Sequence, residues 1–412
     1  MNPTKKQNSL NRVAFRKQIP IRNAKLLFVW VVLCCCGSLS QAQSDSRPKT
    51  AAEQLNQQWS RGQAEGKGPV KLTNFPLRVE DISHINPMGM MASGHTTPTD
   101  HLYLVAKESP DKDKLYDVLA VADGRVVVIQ WRPNPTGKQP DPTVFDRTVD
   151  LKVTLEHAAT CWSYLDHLIE LDPAIQKQVG SELKPGQPFS VRIPVKAGQV
   201  IGKVRGGFTF DFALIDTTVI NKGFVRPEQF LRRDPHKLHV VDPFDYVDEP
   251  LRTKLMSFNA RKAKPLGGRI DYDIDGKLVG NWYREGTGGY AGLDRRWDYW
   301  VGHLTFAFHH LDPSQIIISI GDVEGRARQF AVRGNSPDPA KISVADGLVK
   351  YGLVAPNIDS RTGQPFANFP ERFFGTLLVQ LVEDRKMKFE VFLDKTAQQV
   401  ETFTSAARFY ER

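Results

Sequence analysis

From about residue 70 onward, the sequence consists of short apolar runs broken by proline, glycine and aspartate. Runs of this length favour β-strands, because a helix needs apolar positions that recur every three to four residues over ten or more residues. Residues 300–308 alternate cleanly and place Trp300, Leu304, Phe306 and Phe308 on one face. We therefore expect a mainly β protein in which sheets with one packed face form the core.

The length of the chain, 412 residues, exceeds what one compact core usually spans, so two domains are expected. A polar, proline-punctuated stretch at 222–266 separates two β-rich parts and is predicted to be a linker. The first domain is predicted over 71–221, after a polar segment at 43–70. The second, over 267–412, is predicted to be a β-rich sandwich or barrel.

The N-terminal part has the pattern of a signal peptide. Residues 1–42 carry basic side chains and no acidic one, and an apolar run begins at Leu26 that is too short to span a bilayer. Ala42 supplies a small residue at the expected cleavage site. We expect export to the periplasm or the extracellular space, with no membrane span after cleavage. A lipoprotein is an alternative, since Leu33 precedes Cys36 by three positions.

The charge of the chain argues against a nucleic-acid partner. The net charge is +9, but the predicted leader supplies seven of the basic residues, and the remaining basic and acidic residues are interleaved. The sequence also contains no phosphate-binding loop, no dinucleotide-binding glycine run and no Gly-x-Ser-x-Gly motif. These observations argue against the common classes of cofactor-dependent enzymes.

Four stretches between residues 90 and 216 carry a family resemblance. They are Gly94-His95, the Val-Ala-Asp-Gly-Arg-Val-Val of 121–127, the Leu-Asp-His-Leu of 165–168 and the Val-Lys-Ala-Gly-Gln-Val-Ile-Gly of 195–202. In this order they resemble the lysostaphin-type, LytM-like zinc metallopeptidases, which cut peptidoglycan cross-bridges. The resemblance implies a β-sheet fold with a groove. It also implies a zinc ion held by a His and an Asp near the domain start and by the second His of a His-x-His near its end.

The ligand pattern of that family is degenerate in this chain. His95 and Asp100 match the first pair, but they are five residues apart where the family has four. Residues 208–216 stand where the family has His-x-His, and they contain no histidine. If residues 209–211 align with the family's His-x-His, Thr209 and Asp211 occupy the positions of the two histidines.

This alignment is based on the alternating phenylalanines of the strand. Period-two alternation predicts that Phe208, Phe210, Phe212 and Leu214 face the core, which leaves Asp211 on the opposite face. A shift of the alignment by one residue is the alternative. It would place Phe210 and Phe212 at the ligand positions and exclude metal binding.

His95, Asp100 and Asp211 are therefore the candidate metal ligands, and zinc is the candidate ion, although two carboxylates favour harder ions. Thr209 cannot serve as a base near neutral pH, so His167 is the candidate catalytic residue that orients or deprotonates a water. The loss of one proton-transfer group typically costs on the order of 10² to 10⁴ in rate. A non-catalytic module is favoured for this reason.

Other histidines are expected to be structural. His101 follows Asp100 directly, and His236 and His239 lie in a charged segment with no third ligand nearby in the sequence. None of these three histidines, His101, His236 and His239, is predicted to bind a metal.

Three functions remain open at the level of sequence. The leading hypothesis is an exported protein whose degenerate LytM-like domain binds or regulates a cell-wall or envelope component. The second is an active metal-dependent peptidoglycan hydrolase that uses His95, Asp100, Asp211 and His167. The third is binding of a small ligand or glycan by the C-terminal domain, where the Gly-Asn-Trp-Tyr of residues 280–283 resembles the first strand of lipocalins.

Overall fold

The computed structural model describes residues 49–132, 149–293 and 298–412. The predicted signal peptide lies outside these residues. The helices are short: α1 Ala51–Ser60, α2 Pro173–Val179 and α3 Leu251–Met256. Helix α1 begins with a capping box, in which the side chain of Thr50 accepts from the N–H of Glu53 and the side chain of Glu53 accepts from the N–H of Thr50.

The first half of the described chain contains two antiparallel sheets. The larger has the strand order β1-β2-β10-β6-β5-β4-β8, with β11 paired to β10, and the smaller has the order β3-β9-β7. Their bounds are β1 Ile82–Asn86, β2 Leu102–Ala106, β3 Leu115–Leu119, β4 Gly124–Trp131, β5 Leu151–Ala158, β6 Cys161–Leu168, β7 Glu170–Leu171, β8 Pro188–Val195, β9 Val200–Arg205, β10 Thr209–Asp216 and β11 Val240–Val241.

Strand β10 shows why this sequence forms a central strand. Phe210, Phe212 and Leu214 are each fully buried in the main hydrophobic core, and the rings of Phe75 and Phe212 meet edge to face at 5.5 Å. Phe208 is 38% exposed, so the expectation that it belongs to the core is wrong. It precedes the first paired residue of β10, where the sheet no longer covers it.

The second half forms a closed barrel. Each of β12 to β19 pairs with its neighbours in the sequence, and β19 closes the barrel on β12. Large side chains with at most 1% exposure fill its core, including Trp282, Phe306, Phe330, Tyr351 and Tyr410. The mainly β class and the barrel alternative for the second half are confirmed. The strands are β12 Gly280–Arg284, β13 His303–Phe308, β14 Ile316–Val323, β15 Arg326–Val332, β16 Leu348–Val354, β17 Phe373–Glu383, β18 Lys386–Leu393 and β19 Arg408–Glu411.

Residues 222–266, placed between the two domains by the sequence analysis, pack closely against the first half. They contribute buried apolar side chains such as Phe230 and Phe244 to its core. They also include β11, which extends the large sheet beside β10, and the short 3₁₀ helix Pro235–Leu238, whose residues are all buried. Residues 49–412 form one compact unit.

The two halves meet beside Gly94. The side-chain amide of Gln329, from the barrel, donates a hydrogen bond of 3.1 Å to the carbonyl of Ser93. A Cβ added at Gly94 would lie 2.7 Å and 2.8 Å from two ring carbons of Trp300. The indole therefore packs on the bare backbone of Gly94, next to His95.

Replacing Gly94 by alanine is expected to lower the free energy of unfolding by about 1–3 kcal/mol, because a rigid indole must move to admit the new methyl group. Urea denaturation followed by tryptophan fluorescence measures the effect. In a Trp300→Ala background the same substitution should cost much less, since the clashing ring is gone. Equal costs in both backgrounds would show that Trp300 does not constrain this position.

Among the described residues, no helix combines the length and the apolar character needed to cross a bilayer.

Candidate functional site

The candidate site lies where β2, β10 and β6 run side by side. Asp211 is at the middle of this arrangement, opposite Tyr103 of β2 and opposite Asp166 of β6. His95 and Asp100 lie on the loop that leads into β2. Phe210 and Phe212 are buried in the core on the other side of the sheet, as the period-two alternation predicted, and Asp211 lines the cavity.

His95, Asp100, Asp211 and His167 all line one cavity of about 240 Å³. They differ in position within it: Asp100 and Asp211 are buried, whereas His95 is exposed at the mouth. The second half of the chain closes the cavity from the other side through three aromatic side chains, Tyr290, Tyr299 and His303. The site therefore belongs to both halves.

Asp211 is held by two imidazoles. Its Oδ2 lies 3.3 Å from Nε2 of His101 and 3.3 Å from Nε2 of His167. Its Oδ1 is buried and has no hydrogen-bond partner among the described residues. Burial alone would raise the pKa of Asp211, but the charges of His101 and His167 outweigh burial, and the net pKa lies below its ordinary value. Asp211 is thus an ion-paired carboxylate.

Asp100 is held by a buried ammonium group. Nζ of Lys237 lies 3.4 Å from Oδ1 of Asp100 and donates to the carbonyl of Pro98 at 3.3 Å. Nε2 of His236 contacts Oδ2, and Nδ1 of His101 lies 3.2 Å from Oδ1. Burial raises the pKa of Asp100, but Lys237 and His236 lower it more, so the net pKa is well below its ordinary value.

His167 is the third centre of this network. Its Nδ1 lies 2.9 Å from Oδ1 of Asp150, while its Nε2 faces Asp211. Burial lowers the pKa of His167. The charge of Asp211 and the hydrogen bonds to Asp150 and Asp211 raise this pKa by more than burial lowers it, so the net value is about 9. A pKa of about 9 favours the imidazolium at neutral pH, and an imidazolium has no lone pair for a metal or for a proton from water.

A metal ion has one geometrically suitable group in the described part of the chain. Ligand atoms of Asp150, Asp166 and His167 lie within 4.8 Å of one another. However, Nη2 of Arg132 lies 3.0 Å from Oδ1 of Asp150 and 2.9 Å from Nδ1 of His167, and it also contacts Asp166. A guanidinium in this place already neutralises the carboxylates and repels a second cation.

His95, Asp100 and Asp211 line the same cavity, but the group of potential metal ligands that converges among the described residues is Asp150, Asp166 and His167. Catalytic zinc requires three protein ligands about 2 Å from the ion. Here the carboxylates are engaged by side-chain cations instead.

Several residues of the site were missed by the sequence analysis. His101, expected to be structural, contacts Asp211, and His236, not predicted to bind a metal, contacts Asp100. Lys237 and Arg132 gave no signal as site residues, because a single basic residue in a polar stretch looks like a solvated one. The adjacency of His101 to Asp100 and that of His236 to Lys237 were the only available hints.

Two of the stretches that carry the family resemblance, 121–127 and 195–202, contact each other. Oδ1 of Asp123 accepts from the N–H of Ala197 at 2.9 Å, and its Oδ2 accepts from Nζ of Lys196 at 2.8 Å. The Asp-Gly of 123–124 lies between β3, which pairs with β9, and β4, which pairs with β5 and β8. The turn therefore connects two sheets.

No protein-family model matches the chain, and no curated protein matches its sequence. Solved structures that are similar to it include the SpoIIQ–SpoIIIAH pore-forming complex, at 16% identity and a TM-score of 0.25 over 45% of this chain and 96% of that one. A zinc-containing peptidase from Vibrio cholerae is also 16% identical, with a TM-score of 0.21 over 36% of this chain and 37% of that one.

A third similar structure is a point mutant of the catalytic domain of the prophage-encoded M23 protein EnpA from Enterococcus faecalis. It is 16% identical, with a TM-score of 0.18 over 44% of this chain and 94% of that one. At these identities and scores, no property of the three proteins transfers to this chain.

Proposed function

We propose that this protein is a non-catalytic LytM-like module that binds a component of the bacterial cell wall or envelope after export. The proposal starts from the four sequence stretches that resemble the family and from the contact between two of them at Asp123 and Ala197. The observation that carries it is the pairing of Asp100 and Asp211 with Lys237, His236, His101 and His167.

This pairing explains how the fold tolerates the loss of a metal centre. Buried carboxylates need a compensating charge, and a metal ion is one way to supply it. In this chain Lys237 supplies positive charge to Asp100, and protonated His167 supplies it to Asp211. The carboxylates are then structural groups beneath a cavity that both halves of the chain enclose.

An active hydrolase is the second candidate function. One observation favours it: Asp150, Asp166 and His167 converge closely enough to hold a metal ion. It requires Arg132 to leave this group and His167 to lose its proton. Binding inside the barrel has less support, because buried side chains such as Trp282 and Phe306 fill the interior.

Purified protein is expected to contain far less than one zinc per chain, to release no peptide from purified peptidoglycan and to sediment with it. Elemental analysis, amine release and co-sedimentation are the three measurements. One zinc per chain that disappears in Asp166→Ala but not in the control variant Asp117→Ala, together with cleavage, would overturn the proposal in favour of the hydrolase. Failure to sediment with the cell wall would overturn the binding role.

A further inference from the structure

The charged side chains of the cavity are layered by depth. The carboxylates of Asp100, Asp166 and Asp211 form its floor, with side-chain exposures of 9%, 6% and 6%. Arg132 and Lys152 stand at the mouth, with exposures of 35% and 22%. A ligand that enters from solvent therefore meets Arg132 and Lys152 before it reaches the three acids of the floor.

Both cations at the mouth have N–H donors that make no hydrogen bond to the described residues. Nη2 of Arg132 makes every contact of that side chain with Asp150, Asp166 and His167, and Nη1 makes no hydrogen bond to the described residues. Nζ of Lys152 lies over the ring of Tyr164 at 3.6 Å and is 4.0 Å from Asp166, which is beyond hydrogen-bonding distance. Among the described residues, these donors have no further acceptor.

The buried acids restrict the charge of that acceptor. Four aspartates and three Lys or Arg side chains line the cavity, so the site has no large positive excess; they are Asp100, Asp166, Asp211, Asp234, Arg132, Lys152 and Lys237. A doubly charged anion would be repelled by the floor, whereas a single carboxylate can pair with a guanidinium and an ammonium at the mouth. The layering thus favours a monoanion.

We propose that the mouth of this cavity binds a carboxylate group through Nη1 of Arg132 and Nζ of Lys152. This inference rests on the proposed function. The group that the cavity would recognise is the free C-terminal carboxylate of a short peptide. Arg132 is a positioning residue for the floor as well, because it also holds Asp150 and Asp166. Lys152 makes no hydrogen bond to the acids of the floor, so it can be substituted without disturbing them.

Ligand-observed NMR with acetyl-alanyl-alanine and its C-terminal amide tests the inference on the purified protein. The acid is expected to bind about tenfold more tightly than the amide, as one charge-assisted hydrogen bond would produce. Lys152→Met should remove most of this preference and leave the affinity for the amide unchanged. Lys203→Met, a control on β9 that is paired with Glu170, should retain the full preference. The far-ultraviolet circular dichroism of each variant verifies folding.

Equal affinities for acid and amide, no binding of either at millimolar concentration, or an unchanged preference in Lys152→Met would each overturn the inference. Tighter binding of inorganic phosphate than of the acid would overturn the assignment to a carboxylate. Co-sedimentation with peptidoglycan is measured separately. If the protein sediments without discriminating acid from amide, only this inference fails; if it discriminates without sedimenting, the cell-wall role fails.

Discussion

Lys237→Met is expected to lower the free energy of unfolding by about 3–5 kcal/mol, the cost typical of removing one partner from a buried ion pair. Lys237 is 6% exposed and Asp100 is also 6% exposed, so water cannot replace the lost ammonium. Methionine keeps most of the volume of the side chain, which confines the effect to charge and hydrogen bonding. Urea denaturation at neutral pH gives the value.

Two comparisons isolate the charge. Adding Asp100→Asn to Lys237→Met should recover part of the loss, because the amide needs no counter-ion. Lys71→Met, which breaks a pair with Asp248 in which both side chains are more than half exposed, should cost less than about 1 kcal/mol. A loss in Lys237→Met no larger than that in Lys71→Met would contradict the structural role assigned to the ammonium.

Stability is also expected to fall by about 3 kcal/mol as the pH rises from 6.5 to 9. The pKa of His167 is raised from 6.5 to about 9 in the folded protein, so its contribution is complete below 6.5 and disappears as the pH passes through 9. Each tenfold change in proton affinity corresponds to about 1.4 kcal/mol, which sets the size of the effect. Denaturant unfolding between pH 6 and 9.5 measures it.

His167→Gln is the matched variant for this dependence. It should be less stable than the parent at pH 6.5, and the difference should shrink toward pH 9.5, since the parent then loses its imidazolium. A parent whose stability stays constant over this interval would show that His167 is neutral. That outcome would restore His167 as the candidate base of the hydrolase hypothesis.

Part of the fold could be predicted because it depends on local patterns. The alternation in 300–308 predicted a strand, and the structure has β13 at His303–Phe308. Phe210 and Phe212 predicted which face of β10 is buried, and hence that Asp211 points away from the core. The exposure of Phe208 was not predictable, because it depends on where the pairing with β2 ends.

The ion pairs of the site could not be predicted from local patterns, because their charged side chains come from distant parts of the chain. Lys237 is 137 positions from Asp100, and the cavity wall at Tyr299 belongs to the barrel half of the chain. The catalytic role of His167 and the ligand roles of His95, Asp100 and Asp211 stay predictions. The structure adds that Asp100 and Asp211 are ion-paired to basic side chains.

By itself, the sequence determined the β class, the place of the central strand and the face on which residue 211 lies, since these follow from side-chain periodicity along a short segment. Only the tertiary structure decided what the carboxylates face. Charge pairing in a buried site acts through space over a few ångströms, so whether a metal ion or the ammonium of Lys237 balances Asp100 depends on how segments far apart in the chain pack together.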